Sequence, residues 1–181
     1  MLNFTLETER LHLRPFSQDD LADFHAYAKV PGVGERAGWP HHQTLEESQG
    51  VLEAFMHARD VFAVVLKETN QVIGSIGLHQ ETSTIELKRA KLGYVLAQPF
   101  WRQGLMSEAA KTFVDAVFER HLCDVLEVSH FIENKPSRRI IETLGFMHEH
   151  DGEYVSKALN QRFPARFYSL DRDTYLKRKQ L

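Results

Sequence analysis

The chain has 181 residues, 43% of them hydrophobic and 26% charged, with a formal net charge of −3. That length predicts a single domain, 1–181, large enough to bury its own core, and a mildly acidic chain without a long basic run excludes bulk attraction to nucleic acid. Without a run of about 18 apolar residues a membrane-spanning helix is excluded, the start M-L-N-F-T-L-E-T-E-R lacks the pattern of a secretion signal, and a lone cysteine, Cys123, excludes an intrachain disulfide and points to a reducing, cytoplasmic compartment. Residues 10–16 alternate apolar and polar and predict a half-buried strand. Ser17 ahead of Asp19 and Asp20 marks a helix start, and that helix should run to about residue 29. Residues 31–44, with Pro31, glycines, Trp39 and the His41-His42 pair, read as a long loop, a kind of segment that often carries function. A second helix is expected over 45–59, a strand over 61–66, a turn at 68–71 and a returning strand over 72–78. Another strand is expected over 84–96. The clearest helix covers 105–122, where Leu105, Ala109, Phe113 and Val117 recur every fourth residue. A strand at 125–131, a short helix at 137–144 closed by Gly145, and strands at 147–157 and 163–170 complete the order. The pattern is mixed α/β, with helices covering a central sheet.

Two segments carry chemistry. Residues 93–110 read G-Y-V-L-A-Q-P-F-W-R-Q-G-L-M-S-E-A-A, a strand, a turn and a helix start. Free backbone N–H groups and the helix dipole suit a pyrophosphate there. Gly104 allows close backbone approach, and Ser107 adds a hydroxyl. Spacing alone fits an ordinary glycine-capped turn equally well. The other segment is Asn134-Lys135-Pro136-Ser137 followed by R-R-I-I-E-T-L-G-F. By residue type alone, Ser137 after Pro136 is a helix N-cap.

Together these segments resemble the GNAT superfamily of acetyltransferases, in the branch of ribosomal-protein N-terminal (alanine/serine) acetyltransferases. The first is similar to Q/R-x-x-G-x-G/A, often W-G-x-G-x-x-x-E-A in that branch. Trp101, Gly104, Glu108 and Ala109 match, Met106 replaces a small residue, and Trp101 stands where many members carry Gln or Arg. The second resembles N-x-x-S-x-R-V-x-E-K-L-G-F through Asn134, Ser137, Arg139, Ile140, Glu142, Leu144, Gly145 and Phe146. The opening T-E-R-L-H-L-R-P-F-S-Q-D-D and V-I-G-S-I-G-L at 72–78 extend the likeness over nearly the whole chain. It is weakest at 31–60.

The resemblance implies the GNAT fold, with about seven strands in a mixed sheet whose middle strands splay, and acetyl-CoA as co-substrate. It implies that the pantetheine arm enters the splay along Tyr94, Val95 and Leu96. The amides of Arg102, Gln103, Gly104, Leu105, Met106 and Ser107 would cradle the pyrophosphate, with Asn134 and Arg139 beside the cofactor. Ser137 would face the thioester sulfur and supply a hydrogen bond or proton to the departing thiolate. An oxyanion would meet a backbone N–H near Leu96. The amine attacks directly, with no acyl-enzyme. Its proton would go to Glu86, Glu153 or a histidine, although each carboxylate also reads as an ordinary exposed strand residue. The branch often has an acidic residue where Lys91 stands.

The acceptor implied is the N-terminal amine of a protein, a ribosomal one in the branch resembled. A polyamine, amino acid or antibiotic is the alternative, and a non-catalytic acetyl-CoA-binding module a third reading. Either a monomer or a homodimer fits. His148 and His150 flank Glu149 at strand spacing, but no HExxH or cysteine pair accompanies them, so no metal is expected. Trp39 and Phe55 suit an acceptor pocket or the core equally. Cys123 reads as a buried small residue.

Overall fold

In residues 61–65 successive side chains are all buried, so that strand must be covered on both faces. The computed structural model, which describes residues 2–80 and 88–179, shows how. In chain order the elements are β1 (Leu6–Glu7), β2 (Leu11–Pro15), α1 (Leu21–Ala28), α2 (Leu45–Ala58), β3 (Val61–Leu66), β4 (Gln71–Gln80), β5 (Arg89–Leu96), α3 (Leu105–Glu119), β6 (Val125–Phe131), α4 (Lys135–Thr143), β7 (Met147–Ser156), β8 (Gln161–Asp171) and α5 (Arg172–Lys179). The strands form one sheet in the order β1-β2-β3-β4-β5-β6-β8-β7.

Phe62 and Val64 of β3 enter a core with α3 and α4, while Val61, Ala63 and Val65 enter a second core with α1 and α2. The four-residue repeat of α3 is the reason it seals the first core. Leu105, Ala109, Phe113 and Val117 are all 0–2% exposed, and each large apolar side chain so buried contributes about 2–3 kcal/mol. No helix among the described residues is long and apolar enough to cross a membrane.

Among the described residues only β5 and β6 run parallel, with α3 as the crossover between them. Their pairing is short: Arg89 with Val125, Ala90 with Leu126 and Lys91 with Glu127. Beyond Lys91, β5 stays with β4 as far as the Gly74–Leu96 pair. Beyond Glu127, β6 stays with β8 as far as Phe131–Ala165. Each half of the sheet follows its own antiparallel neighbour, and a wedge opens between them.

Several boundaries differ from the sequence expectation. The sheet has eight strands rather than about seven, because Leu6 pairs with Leu13 to add β1. Of the strand expected over 84–96, Arg89–Leu96 is described; Glu86 lies outside the described residues. The short helix begins two residues early, at Lys135, with Asn134 as its N-cap. Ser137 is therefore not the cap. Finally, α5 follows β8 directly, since Asp171 accepts a 2.8 Å hydrogen bond from the Thr174 N–H and starts a new helix.

Candidate active site

The wedge contains a cavity of about 170 Å³. Tyr94 and His130 stand three residues beyond the last β5–β6 pair, Lys91–Glu127, one on each strand. Alternation sends both toward the α3 and α4 side, as it does Leu92 and Val128, which precede them by two. Ser137, in the first turn of α4, closes that side of the cavity. Arg36, His79, Lys91, Phe131 and Tyr154 line it as well. Of these, Lys91 lies over the Tyr154 ring, and Phe131 packs against Tyr154. Tyr154 reaches Gly38 in the loop after α1, so this second group faces the α1 and α2 side. The wedge is thus a passage between the two faces of the sheet.

The Tyr94 hydroxyl lies 2.8 Å from the Ser137 hydroxyl, where either group can donate, and 3.3 Å from the Ser137 carbonyl. Burial pushes the Tyr94 pKa up to about 12, against the opposing bond to Ser137, so the phenol stays protonated. Asn134 Oδ1 accepts from the Ser137 N–H at 3.3 Å, and Asn134 Nδ2 donates to the Arg36 carbonyl at 3.4 Å. One asparagine therefore starts α4 and ties it to the loop after α1. His130 is buried, and burial followed by the charges of Arg166 and Arg138 lowers its pKa despite the opposing Phe131 carbonyl and Glu142. Its Nδ1 must donate to the Phe131 carbonyl at 2.8 Å, which leaves Nε2 to accept from the Tyr168 hydroxyl at 3.3 Å.

At the far end of β5 the chain turns into α3. The Trp101 indole N–H donates to the Leu96 carbonyl at 2.7 Å and closes the turn. Arg102 (φ 62°) and Gly104 (φ 76°) both adopt left-handed backbone. Gly104 is the N-cap and offers no side-chain cap. The first intrahelical bond is Glu108 N–H to Gly104 C=O, so the amides of Leu105, Met106 and Ser107 lack helical partners. The Met106 side chain turns into the core, leaving that backbone bare. Arg10 braces the loop by donating to the Gln103 carbonyl at 3.0 Å and to Glu108 at 2.7 Å. The Thr8 hydroxyl also bonds Glu108. Burial works against the Glu108 carboxylate, but the Thr8 and Arg10 contacts outweigh it and hold its pKa below the usual range.

The expected site residues are placed unevenly. Tyr94, Asn134 and Ser137 meet at the wedge, and Arg102 to Ser107 form a bare loop beyond its β5 end. Arg139 is exposed on α4 and makes no polar contact among the described residues. Glu153 does not line the cavity. Its neighbour Tyr154 does, so alternation turns Glu153 to the opposite face of β7, where it pairs with Arg162 at 3.1 Å. Among the described residues no carboxylate lines the cavity; its imidazoles are His79 and His130. Sequence reasoning missed both. His130 carries a usable signal, four residues before Asn134 on a strand of period-two burial. His41, His42 and His148 bond Glu35, Ser48 and Asp151, and His150 stacks on Phe167.

A family model described as an acetyltransferase (GNAT) domain matches residues 10–147. The chain is 27% identical over 150 residues to the uncharacterized N-acetyltransferase p20 of Bacillus licheniformis, across 80% of this chain and 83% of that one. Among solved structures, a GNAT-family acetyltransferase from Bacillus anthracis superposes with a TM-score of 0.82 at 23% identity, covering 94% of this chain and 99% of that one. RimL, a ribosomal L7/L12 alpha-N-protein acetyltransferase in complex with coenzyme A, superposes with a TM-score of 0.79 at 17% identity, again over 94% and 99%. At these identities the structural likenesses speak for the fold.

Proposed function

Because the chain belongs to the GNAT family and is an N-acetyltransferase, we propose that it moves the acetyl group of acetyl-CoA directly onto a primary amine, the N-terminal amine of a protein. The observation that carries this reading is the wedge between β5 and β6, with the Ser137 hydroxyl on one side and a loop of unpartnered amides beyond its β5 end. The pyrophosphate sits on the amides of Arg102, Gln103, Gly104, Leu105, Met106 and Ser107, where the helix dipole and free N–H groups favour an anion. The pantetheine arm takes the unpaired edge of β5 along Tyr94, Val95 and Leu96, with Asn134 and Arg139 on its other side.

The amine enters from the α1 and α2 side. Its nitrogen bonds to the thioester carbon, and the tetrahedral oxyanion is held by a backbone N–H near Leu96. The carbon–sulfur bond then breaks, and the CoA thiolate leaves stabilised by a hydrogen bond donated by the Ser137 hydroxyl, which keeps its proton. The ammonium proton passes to Glu86 or to a cavity histidine. Glu153, on the far face of β7, is left out. The RimL likeness favours a protein N-terminus as acceptor.

Calorimetry with acetyl-CoA tests the cofactor half. Micromolar binding that is lost in Gly104→Val supports it, because a β-branched residue resists a φ of 76° and fills the loop. No binding of acetyl-CoA or CoA by the wild type defeats it. A panel of peptides with free N-termini, set against polyamines, amino acids and aminoglycosides, tests the acceptor half. Turnover confined to the small amines would replace the protein substrate with a small molecule.

A further inference from the structure

On the α1 and α2 side the mouth of the wedge is lined by basic and aromatic side chains. His79 of β4 and Lys91 of β5 are directly paired, so both stand on that face of the sheet. The His79 ring lies over Gly93, where a Cβ would come within 3.2 Å of Nε2. Lys91 lies over the Tyr154 ring, 5.5 Å from its centroid. Arg36 arrives from the loop after α1 and lies over Trp101, 5.0 Å from the ring centroid.

The contacts that hold Arg36 leave its charge unused. Its carbonyl takes the Asn134 amide at 3.4 Å, and Glu35 beside it fixes the loop through the Gly32 and His41 amides. Among the described residues no carboxylate or carbonyl accepts from the guanidinium itself. A guanidinium over a ring keeps its N–H fork for an acceptor beside it, and that fork matches a carboxylate with two bonds. The nearby carboxylates are already committed. Glu35 is engaged by His41, and Glu127, which precedes Ser129 by two on β6, pairs with Arg89.

We infer that the acceptor is an N-terminus with an acidic side chain in the two residues after its first, and that Arg36 selects it. The inference rests on the reading of the wedge as the site of an N-terminal acetyltransferase. Trp101 donates to the Leu96 carbonyl, so Arg36 stands beside the strand end at which the acetyl group is attacked. An amine that reaches the thioester through this mouth brings its following residues past the guanidinium. A carboxylate there gains a charge-assisted pair, whereas a lysine meets like charge.

Peptides identical but for residues two and three, which read Asp-Glu, Asn-Gln or Lys-Lys, test this on the full chain with acetyl-CoA. In wild type kcat/KM should be about tenfold higher for the acidic peptide than for the basic one, with the neutral one between. Salt at about 0.5 M should narrow that gap. Arg36→Gln should abolish the preference and Arg36→Glu should reverse it. Damage to the loop would slow all the peptides alike and reverse nothing. The inference is overturned if wild type takes the peptides equally or prefers the basic one, or if Arg36→Glu slows them all by one factor. Turnover confined to free aspartate and glutamate overturns it too, since the carboxylate would then belong to a small molecule. Wild type that acetylates no peptide and no free amino acid defeats the N-terminal reading itself, and this inference falls with it.

Discussion

The Tyr94 hydroxyl reaches from β5 to α4 and meets the Ser137 hydroxyl at 2.8 Å, at the point where the sheet has opened. With its pKa raised to about 12, Tyr94 is a donor throughout the neutral range. When it donates to Ser137 Oγ, the serine proton is left to point at another acceptor. A thiolate leaving through the wedge is such an acceptor. Ser137→Ala should lower kcat about a hundredfold, within the usual range for a lost hydrogen-bond donor to a developing anion, while acetyl-CoA affinity changes by less than about twofold. Tyr94→Phe should lower kcat about tenfold, and the double variant should be no slower than Ser137→Ala alone, because the two hydroxyls act as a unit. Steady-state kinetics on the three variants check this. Full additivity would show that Tyr94 does not act through Ser137.

Arg10 and Glu108 join two motifs that lie 98 residues apart. The carboxylate accepts from the Arg10 backbone N–H at 2.9 Å and from its guanidinium, and it bonds the Thr8 hydroxyl. The T-E-R opening thus holds the first turn of α3 and, through the Gln103 carbonyl, the phosphate loop itself. Glu108→Ala should lower stability by about 1–2 kcal/mol, since it strands several donors at once, and should weaken acetyl-CoA binding. Glu108→Gln keeps an acceptor and should lose less on both counts. Urea denaturation and calorimetry separate the two effects. An alanine variant with unchanged affinity would mean that the loop holds its shape without the brace.

The parts legible in the sequence are those fixed by local pattern. The stripe of Leu105, Ala109, Phe113 and Val117 requires an amphipathic helix, and the two GNAT-like segments fall on the wedge and the bare loop. What was not legible depends on parity and register. Glu153 and Tyr154 differ by one position, and on a strand that one position decides between solvent and cavity. His130 acquires meaning only once pairing is known to stop at Glu127, which puts it level with Tyr94. Residue type favoured Ser137 as the cap, but Asn134 caps equally well and stands where the helix begins. In α5 Tyr175 packs against the core among mostly charged neighbours, which is too little periodicity to mark a helix.

Asp20 is 5% exposed and forms a two-pronged pair with Arg14, both bonds at 2.7 Å. Burial raises its pKa, but Arg14 and the Ser17 N–H outweigh that and the net shift is downward. The carboxylate also completes the capping box at Ser17 that turns β2 toward α1. Asp20→Ala leaves the largely buried guanidinium without its partner and should cost about 3 kcal/mol. Asp20→Asn keeps the shape and some hydrogen bonding and should cost less. Chemical denaturation with a constant m value reads the difference directly. A loss below about 1 kcal/mol for the alanine variant would reclassify the pair as an ordinary surface contact.

Glu35 organises the loop that carries Arg36 into the cavity. Its carboxylate accepts from the Gly32 N–H at 2.7 Å, from the His41 N–H at 3.1 Å and from the His41 ring at 2.7 Å. Burial opposes the charge, but His41 and these backbone donors prevail and bring the pKa down to about 2. A carboxylate depressed in the folded state stabilises fully above its unfolded pKa, about 4.3, and loses that contribution as pH falls through the folded value. The Gly32 and His41 amides should therefore keep their hydrogen-exchange protection at neutral pH and lose it between about pH 4 and about 2. In Glu35→Ala, which removes both acceptor oxygens, both amides should already be poorly protected at pH 7. Because the Arg36 carbonyl receives Asn134, the same variant should lower kcat/KM about tenfold and lower the melting temperature by a few degrees. Protection that persists in Glu35→Ala would mean that the packing of Trp39, rather than the carboxylate, sets the loop.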